Sequence, residues 1–334
     1  MATKTYEFER WAVEQIKGAR ERIIAELSKV IVGQQDVIEH LIIAVLSGGH
    51  CLITGAPGLA KTLLVKSLTQ LFNLKFQRIQ FTPDLMPADI TGTEILQQAD
   101  GERKMIFVEG PIFANMILAD EINRTPPKTQ AALLEAMQEH QVTAVGVCYH
   151  LSEPFFVFAT QNPIEMEGTY PLPEAQLDRF MFNVSIGYLG EDDEVAVVRQ
   201  TTATEPEPIQ HVFTGEDLVQ FQAVVRKVPI AEEVVRYAVR IAAASRPSPD
   251  NPLDFVNEWV TWGAGLRASQ YMVLGAKARA LLYGRSHVKF EDIRALALPV
   301  LRHRVLINYR AEAEGVVIDK LVDRLLKSVK ESNT

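Results

Sequence analysis

The sequence predicts an α/β protein with a parallel, doubly wound sheet that carries two β-hairpin insertions, followed by an all-helical domain. Five short apolar runs, typical of buried strands, alternate with helical stretches in residues 1–190. After residue 187 the strand-like runs stop and amphipathic helical patterns follow. The chain has 334 residues, of which 47% are apolar. This is enough for one large core and a second, smaller one.

Two amphipathic helices are predicted before the first strand, and further helices separate several of the strands. The predicted strands are 51–54, 76–81, 116–119, 155–160 and 182–186. One inserted hairpin pairs 93–98 with 104–108 around a turn at Asp100-Gly101, and a second lies within 141–151 and turns near Gly146. Loops added to such a scaffold often carry function.

The predicted linker at 205–208 is rich in proline and divides the chain into domains at 1–190 and 210–334. Thr214 and Asp217 have the spacing of a capping box and open the first helix of the second domain. The further predicted helices of this domain are 231–244, 268–283, 291–303 and 318–329.

The first predicted strand runs into a turn that ends in lysine and threonine at the start of a helix. The turn consists of Gly55, Ala56, Pro57, Gly58, Leu59, Ala60, Lys61 and Thr62. Backbone N–H groups of such a turn, together with the positive end of the helix dipole, attract a polyphosphate. Lys61 is expected to reach the β- and γ-phosphates, and the Thr62 hydroxyl is expected to bind Mg²⁺. The alternative is an ordinary turn between a strand and a helix.

One position departs from the usual phosphate-binding loop (Walker A motif), which has glycine directly before the lysine. Here that residue is Ala60. Because alanine favours negative φ angles, the loop is expected to bind phosphate only if Ala60 already belongs to the helix.

A second motif strengthens the prediction of nucleotide binding. The apolar run 116–119 ends in two adjacent carboxylates, Asp120 and Glu121, as in a Walker B motif. Asp120 is expected to hold the Mg²⁺ shell, and Glu121 is expected to orient and deprotonate the attacking water. Carboxylates at strand ends are also common helix caps. Together with Lys61 and Thr62, however, they predict a nucleoside triphosphatase.

Three further polar signals are ambiguous when taken singly. Asn162 is either a turn residue before Pro163 or a polar sensor that holds the lytic water. Arg179 either faces a partner or forms a surface pair with Asp178. Arg267 begins a helix of the second domain, where most arginines are merely solvated.

The order of these motifs resembles that of the AAA+ ATPases, and the finer matches are to their MoxR family. The matching stretches are QFTPDLMPADITG (80–92), EGPIFAN (109–115), DEINR (120–124), EGTYPLPEAQLDRF (167–180) and LRHRV (301–305). Ala60 is the usual residue of this family before the lysine, whereas Leu266 stands where the family commonly has proline. The resemblance runs from about residue 32 to about residue 305.

The resemblance implies an AAA+ nucleotide-binding core followed by a helical lid. It also implies a ring, usually a hexamer, with ATP and Mg²⁺ at each subunit junction. Arg179 would enter the neighbour's site as a finger, which agrees with the expectation that the phosphate loop supplies Lys61 but no second cation near the γ-phosphate. Arg267 would sense nucleotide from the lid, either within its subunit or across the junction.

Proteins of this family are similar to chaperones that mature or activate other complexes. They often work with partners that bear a von Willebrand A-type domain. The sequence contains no such domain, so a partner of this kind would bind in trans.

Composition narrows the class of protein. The formal net charge is −8 and the pI is near 5.5, so there is no global basic field for nucleic acid or for an anionic membrane. The two cysteines, Cys51 and Cys148, fall in predicted strands, are expected to be core residues, and indicate a reducing compartment. No signal peptide or membrane span is predicted, so a soluble, cytoplasmic protein is expected.

Three alternative functions compete with a MoxR-type ATPase. A nucleic-acid motor like the minichromosome-maintenance helicases is disfavoured by the acidic pI and by the lack of Lys or Arg within 141–151. An ATPase subunit like that of magnesium chelatase is the nearest in architecture. A nucleotide-dependent scaffold without turnover is disfavoured by Glu121, since a protein that only binds ATP does not need this carboxylate.

Overall fold

The computed structural model describes residues 2–99, 102–163, 168–203 and 207–331. The helices are α1 (Ala2–Leu27), α2 (Gln35–Ser47), α3 (Lys61–Leu71), α4 (Pro87–Thr91), α5 (Pro127–Glu139), α6 (Glu174–Leu177), α7 (Glu191–Thr202), α8 (Gly215–Lys227), α9 (Glu232–Ala244), α10 (Asp254–Trp259), α11 (Leu266–Leu282), α12 (Phe290–Leu301), α13 (Tyr309–Ala313) and α14 (Ile318–Ser328). The strands are β1 (Cys51–Gly55), β2 (Phe76–Gln80), β3 (Gly92–Ala99), β4 (Glu102–Glu109), β5 (Met116–Asp120), β6 (Gln141–Ala144), β7 (Val147–His150), β8 (Phe156–Gln161), β9 (Phe182–Ile186), β10 (Val260–Trp262) and β11 (Leu306–Ile307).

The central sheet is parallel and has the strand order β2-β5-β8-β1-β9, which confirms the predicted fold class. Its middle strands β5 and β8 are apolar except for their last one or two residues, because helices cover both faces. Neighbouring residues of β5 therefore point into different cores: Leu118 packs in the cluster that contains α1 and α2, and Ile117 packs in the cluster that contains α5. Polar chemistry is consequently confined to the ends of these strands.

Both predicted hairpins are present. β3 pairs with β4 from Gly92↔Glu109 outward, although the predicted turn at Asp100-Gly101 lies outside the described residues. β6 pairs with β7 through a two-residue turn in which Val145 and Gly146 have φ angles of +51° and +78°. The Phe107 ring of the first hairpin stacks on the Tyr149 ring of the second, with centroids 4.3 Å apart. The hairpins therefore support each other.

The second half of the chain is helical, as predicted, apart from one short antiparallel pair, β10–β11, which the sequence does not reveal. The capping box is confirmed: Asp217 N–H donates to Thr214 Oγ1 at 3.2 Å, and the Asp217 carboxylate accepts from Thr214 N–H at 2.8 Å. Helix α11 packs against both α1 and α2, so the helical half shares a hydrophobic cluster with one face of the sheet.

The two cysteines differ in environment. Cys51 is fully buried in β1, and burial raises the pKa of its thiol. Cys148 is exposed on β7, so the expectation that it is a core residue is wrong. It lies on a two-stranded hairpin outside the central sheet, where strand formation does not entail burial. Within the described ranges, no helix combines the length and apolarity needed to cross a membrane.

Candidate active site

The predicted phosphate loop joins the end of β1 to the start of α3. Gly58 adopts a φ of +79°, in the left-handed region that favours glycine. Lys61 folds back over the loop, and its Nζ donates to Gly55 O at 2.6 Å. The first turn of α3 contains no acidic residue, so the positive end of the helix dipole is not opposed there. The conformation of Gly58 and the charge of this loop are therefore compatible with the predicted binding of a polyphosphate.

Ala60 differs from its prediction. It lies directly before α3 with a φ of +55° and has not entered the helix. The loop must reverse direction there to bring Lys61 to the helix start, and the left-handed conformation achieves this at a cost of about 1–2 kcal/mol for a residue with a Cβ. Ala60 therefore does not meet the condition set from the sequence, and phosphate binding by this loop stays a prediction.

Two carboxylates end β5 beside β8. Thr160 of β8 joins them: its Oγ1 donates to Asp120 Oδ1 at 2.5 Å and accepts from the Glu121 N–H at 2.9 Å. Glu121 itself has a φ of +55°, a strained conformation for a non-glycine residue. Thr160 fixes the angle between the two acidic residues. Its role was missed from the sequence, where it marks only the end of a strand.

Two arginines that were assigned no role from the sequence contact the two carboxylates. Arg78 of β2 donates to Asp120 Oδ2 from Nε at 3.0 Å and from a terminal nitrogen at 2.6 Å. Arg124 donates to Glu121 Oε2 at 3.1 Å. Arg78 could have been found only from the pairing of β2 with β5, which are parallel neighbours in the sheet. Arg124 could have been found from its spacing of three residues from Glu121.

An amide connects the two carboxylates. Gln80 accepts from Arg78 at 2.5 Å and donates to Glu121 Oε2 at 2.9 Å. Asp120, Arg78, Gln80 and Glu121 therefore form a continuous series of hydrogen-bonded side chains. Because Arg78 and Gln80 belong to β2, this strand fixes both acidic side chains. Gln80 begins the stretch QFTPDLMPADITG, and no role was predicted for it from the sequence.

Asn162 directly follows β8 and is buried, with 6% of its surface exposed. Its strand lies between β5 and β1 in the sheet, so Asn162 ends its strand between the carboxylates and the phosphate loop. The hydroxyl of Thr62 and the carboxylate of Asp120 are hard oxygen ligands of the kind that Mg²⁺ prefers. This set of donors therefore fits a magnesium ion bound together with phosphates.

Arg179 lies at the opposite end of the sheet. It precedes β9, and the next residue but one, Met181, donates its N–H to His50 O at the start of β1. The Arg179 guanidinium donates to Leu134 O of α5 at 2.5 Å and borders a groove of about 310 Å³. A five-residue strand is about 16 Å long, and this length separates the two ends of the sheet.

Arg267 lies on the same side as Arg179. It begins α11, and one terminal nitrogen contacts Asp178 Oδ2 at 3.3 Å. Asp178 also accepts from Arg304 Nε at 2.7 Å. Asp178 thus pairs with two arginines of the helical half, so the alternative in which it forms a surface pair with Arg179 is wrong.

Comparisons with known proteins agree with this arrangement. Residues 50–182 match the model of the ATPase family associated with various cellular activities (AAA), and residues 256–325 match the AAA lid domain. The chain is 41% identical over 309 residues to Chaperone MoxR1 of Mycobacterium tuberculosis, covering 92% of this chain and 81% of that protein. It is 30% identical to Protein MoxR of Paracoccus denitrificans, covering 88% of this chain and 91% of that protein.

A solved structure is also similar. The crystal structure of a proposed ATPase from Cytophaga hutchinsonii superposes with a TM-score of 0.89 at 40% sequence identity and covers 98% of both chains. The similarity therefore extends through the core and the helical half together.

Proposed function

Because the chain belongs to the MoxR family of AAA+ ATPases, we propose that it hydrolyses Mg²⁺-ATP in a ring of identical subunits and uses this reaction to mature or activate partner protein complexes. The observation that carries the proposal is the separation of its polar groups. Lys61, Asp120, Glu121 and Asn162 lie at the carboxyl ends of the parallel strands, whereas Arg179 and Arg267 lie at the amino end.

The groups at the carboxyl end bind the nucleotide and activate water. The loop from Gly55 to Thr62 surrounds the phosphates, and Lys61 exchanges its bond to Gly55 O for one to the β- and γ-phosphates. Thr62 and Asp120 would hold Mg²⁺, and the bound ion would neutralise part of the phosphate charge. Glu121 takes the proton of the attacking water.

Glu121 needs a defined orientation for this role. Gln80 and Arg124 both donate to its Oε2, and its N–H is bound to Thr160. Asn162 completes the arrangement by positioning the water near the γ-phosphate. Each of these groups ends or borders a strand of the rigid sheet, which favours the fixed geometry that catalysis requires.

The groups at the amino end act on the next subunit. Arg179 cannot reach the phosphate loop of its own chain across the length of a strand, so it serves the neighbour's site, where it stabilises the charge on the transferring phosphoryl group. Arg267 is bound to Asp178 beside Arg179 and is therefore proposed to act across the same junction. A hexamer is the assembly proposed by resemblance.

The client is proposed to be a protein. The first hairpin exposes apolar side chains on both of its faces, with Ile95, Ile106 and Val108 on one face and Leu96 and Met105 on the other. Clusters of exposed apolar side chains are typical of surfaces that bind another protein. A partner with a von Willebrand A-type domain is proposed to bind in trans, in the cytoplasm. The division into a core at 1–190 and a lid at 210–334 also stays a proposal.

The test of hydrolysis uses two variants with opposite expected effects on binding. Lys61→Ala is expected to abolish binding of ATP, because it removes the cation of the loop. Glu121→Gln is expected to keep ATP binding and to lower turnover by about 10²- to 10⁴-fold, because it removes the base alone. Binding is measured with a fluorescent ATP analogue, and turnover is measured as phosphate release with Mg²⁺ present.

Matched controls are available at exposed positions outside the proposed site. Lys66→Ala changes an exposed lysine one turn further along α3, and Glu216→Gln changes an exposed carboxylate at the start of α8. Both are expected to behave like the unchanged protein. If Glu121→Gln hydrolyses ATP at the unchanged rate, the proposed mechanism is wrong.

A further inference from the structure

The segment 178–181, which joins α6 to β9, is bound along its backbone by the helical half of the chain. Arg304 makes most of these contacts. Its two terminal nitrogens donate to the carbonyl oxygens of Asp178 and Phe180, each at 2.7 Å, and to that of Met181 at 3.3 Å. These carbonyls lie between the end of α6 and the start of β9, and buried carbonyl groups need hydrogen-bond partners.

Two neighbouring side chains complete the set. The Tyr271 hydroxyl, from α11, donates to Arg179 O at 3.2 Å. His303 Nε2 donates to Phe180 O at 3.0 Å, and burial lowers the pKa of His303, so the ring is neutral. Every carbonyl from 178 to 181 therefore accepts a hydrogen bond from the lid, and Arg179 is in the middle of this segment.

Arg304 is suited to this task in a way that lysine is not. It is 5% exposed, and its remaining donors go to the Asp178 carboxylate at 2.7 Å and to Val300 O at 2.7 Å. All five N–H groups of the planar guanidinium thus have acceptors. The ammonium group of lysine has only three donors, all on one nitrogen, and could not reach the same set of acceptors. Its guanidinium also lies over the Tyr271 ring, 5.1 Å from the centroid.

We infer that Arg304 and Tyr271 are positioning residues that fix Arg179 and Arg267 to the lid as one unit, so that any change in the position of a subunit's lid moves the finger that it presents to its neighbour. The inference rests on the proposed function, since it requires that Arg179 acts across a subunit junction. It assigns a role to the LRHRV stretch, which the nucleotide site does not use.

Two variants test the inference at different severity. Arg304→Lys keeps the positive charge but removes the planar arrangement of five N–H donors. Tyr271→Phe removes only the hydroxyl that binds Arg179 O. The expected result is a KM for ATP within about twofold of the unchanged value, with kcat lowered by up to about 100-fold for Arg304→Lys and by about tenfold or less for Tyr271→Phe. Arg302→Lys is the matched control, because Arg302 also joins lid and core but binds Asn183 O, beyond the finger segment. It is expected to keep kcat.

Mixing of subunits separates positioning in trans from a general loss of structure. Arg304→Lys subunits have an intact nucleotide site and a displaced finger, so mixing with Lys61→Ala subunits, which have the reverse, is expected to restore activity above the sum of the two alone. Mixing with Arg179→Ala subunits is expected to restore none, since both carry the same defect. Native mass spectrometry verifies that mixed assemblies form.

The reference mixture is Arg179→Ala with Lys61→Ala. If this mixture gains no activity although mixed assemblies form, the proposed finger in trans is wrong. If it gains activity but Arg304→Lys with Lys61→Ala does not, the positioning role alone is wrong. Should Arg304→Lys not fold, Tyr271→Phe is mixed in its place, and a Tyr271→Phe protein with unchanged kcat overturns the inference.

Discussion

At the scale of single residues, the notable feature of the site is that both of its carboxylates are already bound by positive or amide groups. Arg78 holds Asp120, and Gln80 with Arg124 holds Glu121. A cation that binds Asp120 must compete with the Arg78 guanidinium for the same oxygens. The strength of that competition follows from exposure, because the Arg78 side chain is 48% exposed and the pair is screened by water.

We therefore predict that Arg78→Gln lowers the Mg²⁺ concentration needed for half-maximal turnover. A pair this exposed is worth about 0.2–1 kcal/mol, which corresponds to a change of about 1.5- to 5-fold. Titration of Mg²⁺ into the protein with a non-hydrolysable ATP analogue, followed by calorimetry, gives the same comparison without turnover. Arg103→Gln, which removes an exposed arginine of β4, controls for net charge. A higher Mg²⁺ requirement in Arg78→Gln contradicts the prediction.

For single residues, identities could be predicted from the sequence, whereas some conformations and contacts could not. The identities of the loop residues and of Asp120 and Glu121 could be read directly, because each motif is local in sequence. The conformation of Ala60 could not, since a helical and a left-handed residue before α3 are both compatible with the same letters. The contact between Arg78 and Asp120 spans 42 residues and depends on the pairing of β2 with β5.

At the scale of secondary-structure elements, strands with a long apolar or alternating pattern were predictable from the sequence, and very short strands were not. The five core strands and both hairpins are confirmed because alternation or a continuous apolar run extends over four or more residues in each. The pair β10–β11 has only three and two residues, too few to show any period. It forms because the helices around it bring the two segments together, which is a tertiary effect.

A buried histidine connects three elements of the core. His50, before β1, accepts from the Val157 N–H of β8 at 3.0 Å and donates to Met137 O of α5 at 3.0 Å. Burial lowers the pKa of His50 to about 4, with a smaller lowering from the ring of His140, which in turn binds Glu153. The hydrogen bond that Nδ1 accepts requires the neutral ring, because a protonated Nδ1 cannot accept the Val157 N–H.

We predict that the free energy of unfolding falls as the pH drops from 7 to 5. The folded pKa of His50 is below the unfolded value near 6.5, so the unfolded state binds more protons in this window and stability is lost as the pH falls towards 4. The expected loss at pH 5 is about 2 kcal/mol from this residue alone. Burial also lowers the pKa values of His303 and His40, which act in the same direction.

Urea unfolding at both pH values measures the effect. His50→Gln is expected to be less stable at pH 7 and to show a flatter dependence on pH, whereas His211→Gln, at an exposed position, is expected to keep the original slope. If the free energy of unfolding of His50→Gln depends on pH as steeply as that of the unchanged protein, other groups cause the pH dependence.

At the scale of the whole molecule, the charge distribution bears on the alternative of a nucleic-acid motor. The net charge is −8, and the exposed tip of the second hairpin carries Val145, Val147 and Cys148, with no Lys or Arg anywhere in 141–151. Phosphate contacts from basic side chains supply most non-specific affinity for DNA. An inserted hairpin of this composition offers none.

We accordingly predict no binding to single- or double-stranded DNA tighter than about 1 µM at physiological salt. Fluorescence anisotropy of labelled oligonucleotides, with and without Mg²⁺-ATP, measures this. The comparison at low salt is the control, because weak association there should disappear as salt screens it. Tight binding that persists at about 150 mM salt would favour the helicase-like alternative.

The proposed assembly could be anticipated only in outline from the sequence. The order of motifs indicated a finger in trans, but the side on which Arg267 acts stayed open, because its position depends on how the lid packs. In the structure that position is set by Asp178, which also binds Arg304. Contacts of this kind join residues about 90 to 126 positions apart and leave no local pattern.

We predict that ATP hydrolysis requires associated subunits and that a single subunit is inactive or nearly so. Arg179 lies a strand's length from its own phosphate loop, so a single subunit has a nucleotide site without a finger. Specific activity should therefore rise with protein concentration as subunits associate, and Arg179→Ala should keep ATP binding but lose about 10³-fold or more in kcat. Sedimentation velocity, run at each concentration used for the assay, relates activity to assembly.

Arg199→Ala, which removes an exposed arginine of α7, should leave both the concentration dependence and kcat unchanged. Association without a gain in activity would mean that the junction does not complete the site. A monomer with full activity at every dilution would mean that some other group replaces Arg179 within the subunit, and Arg78 and Arg124, which already bind the two carboxylates, would be the first to substitute.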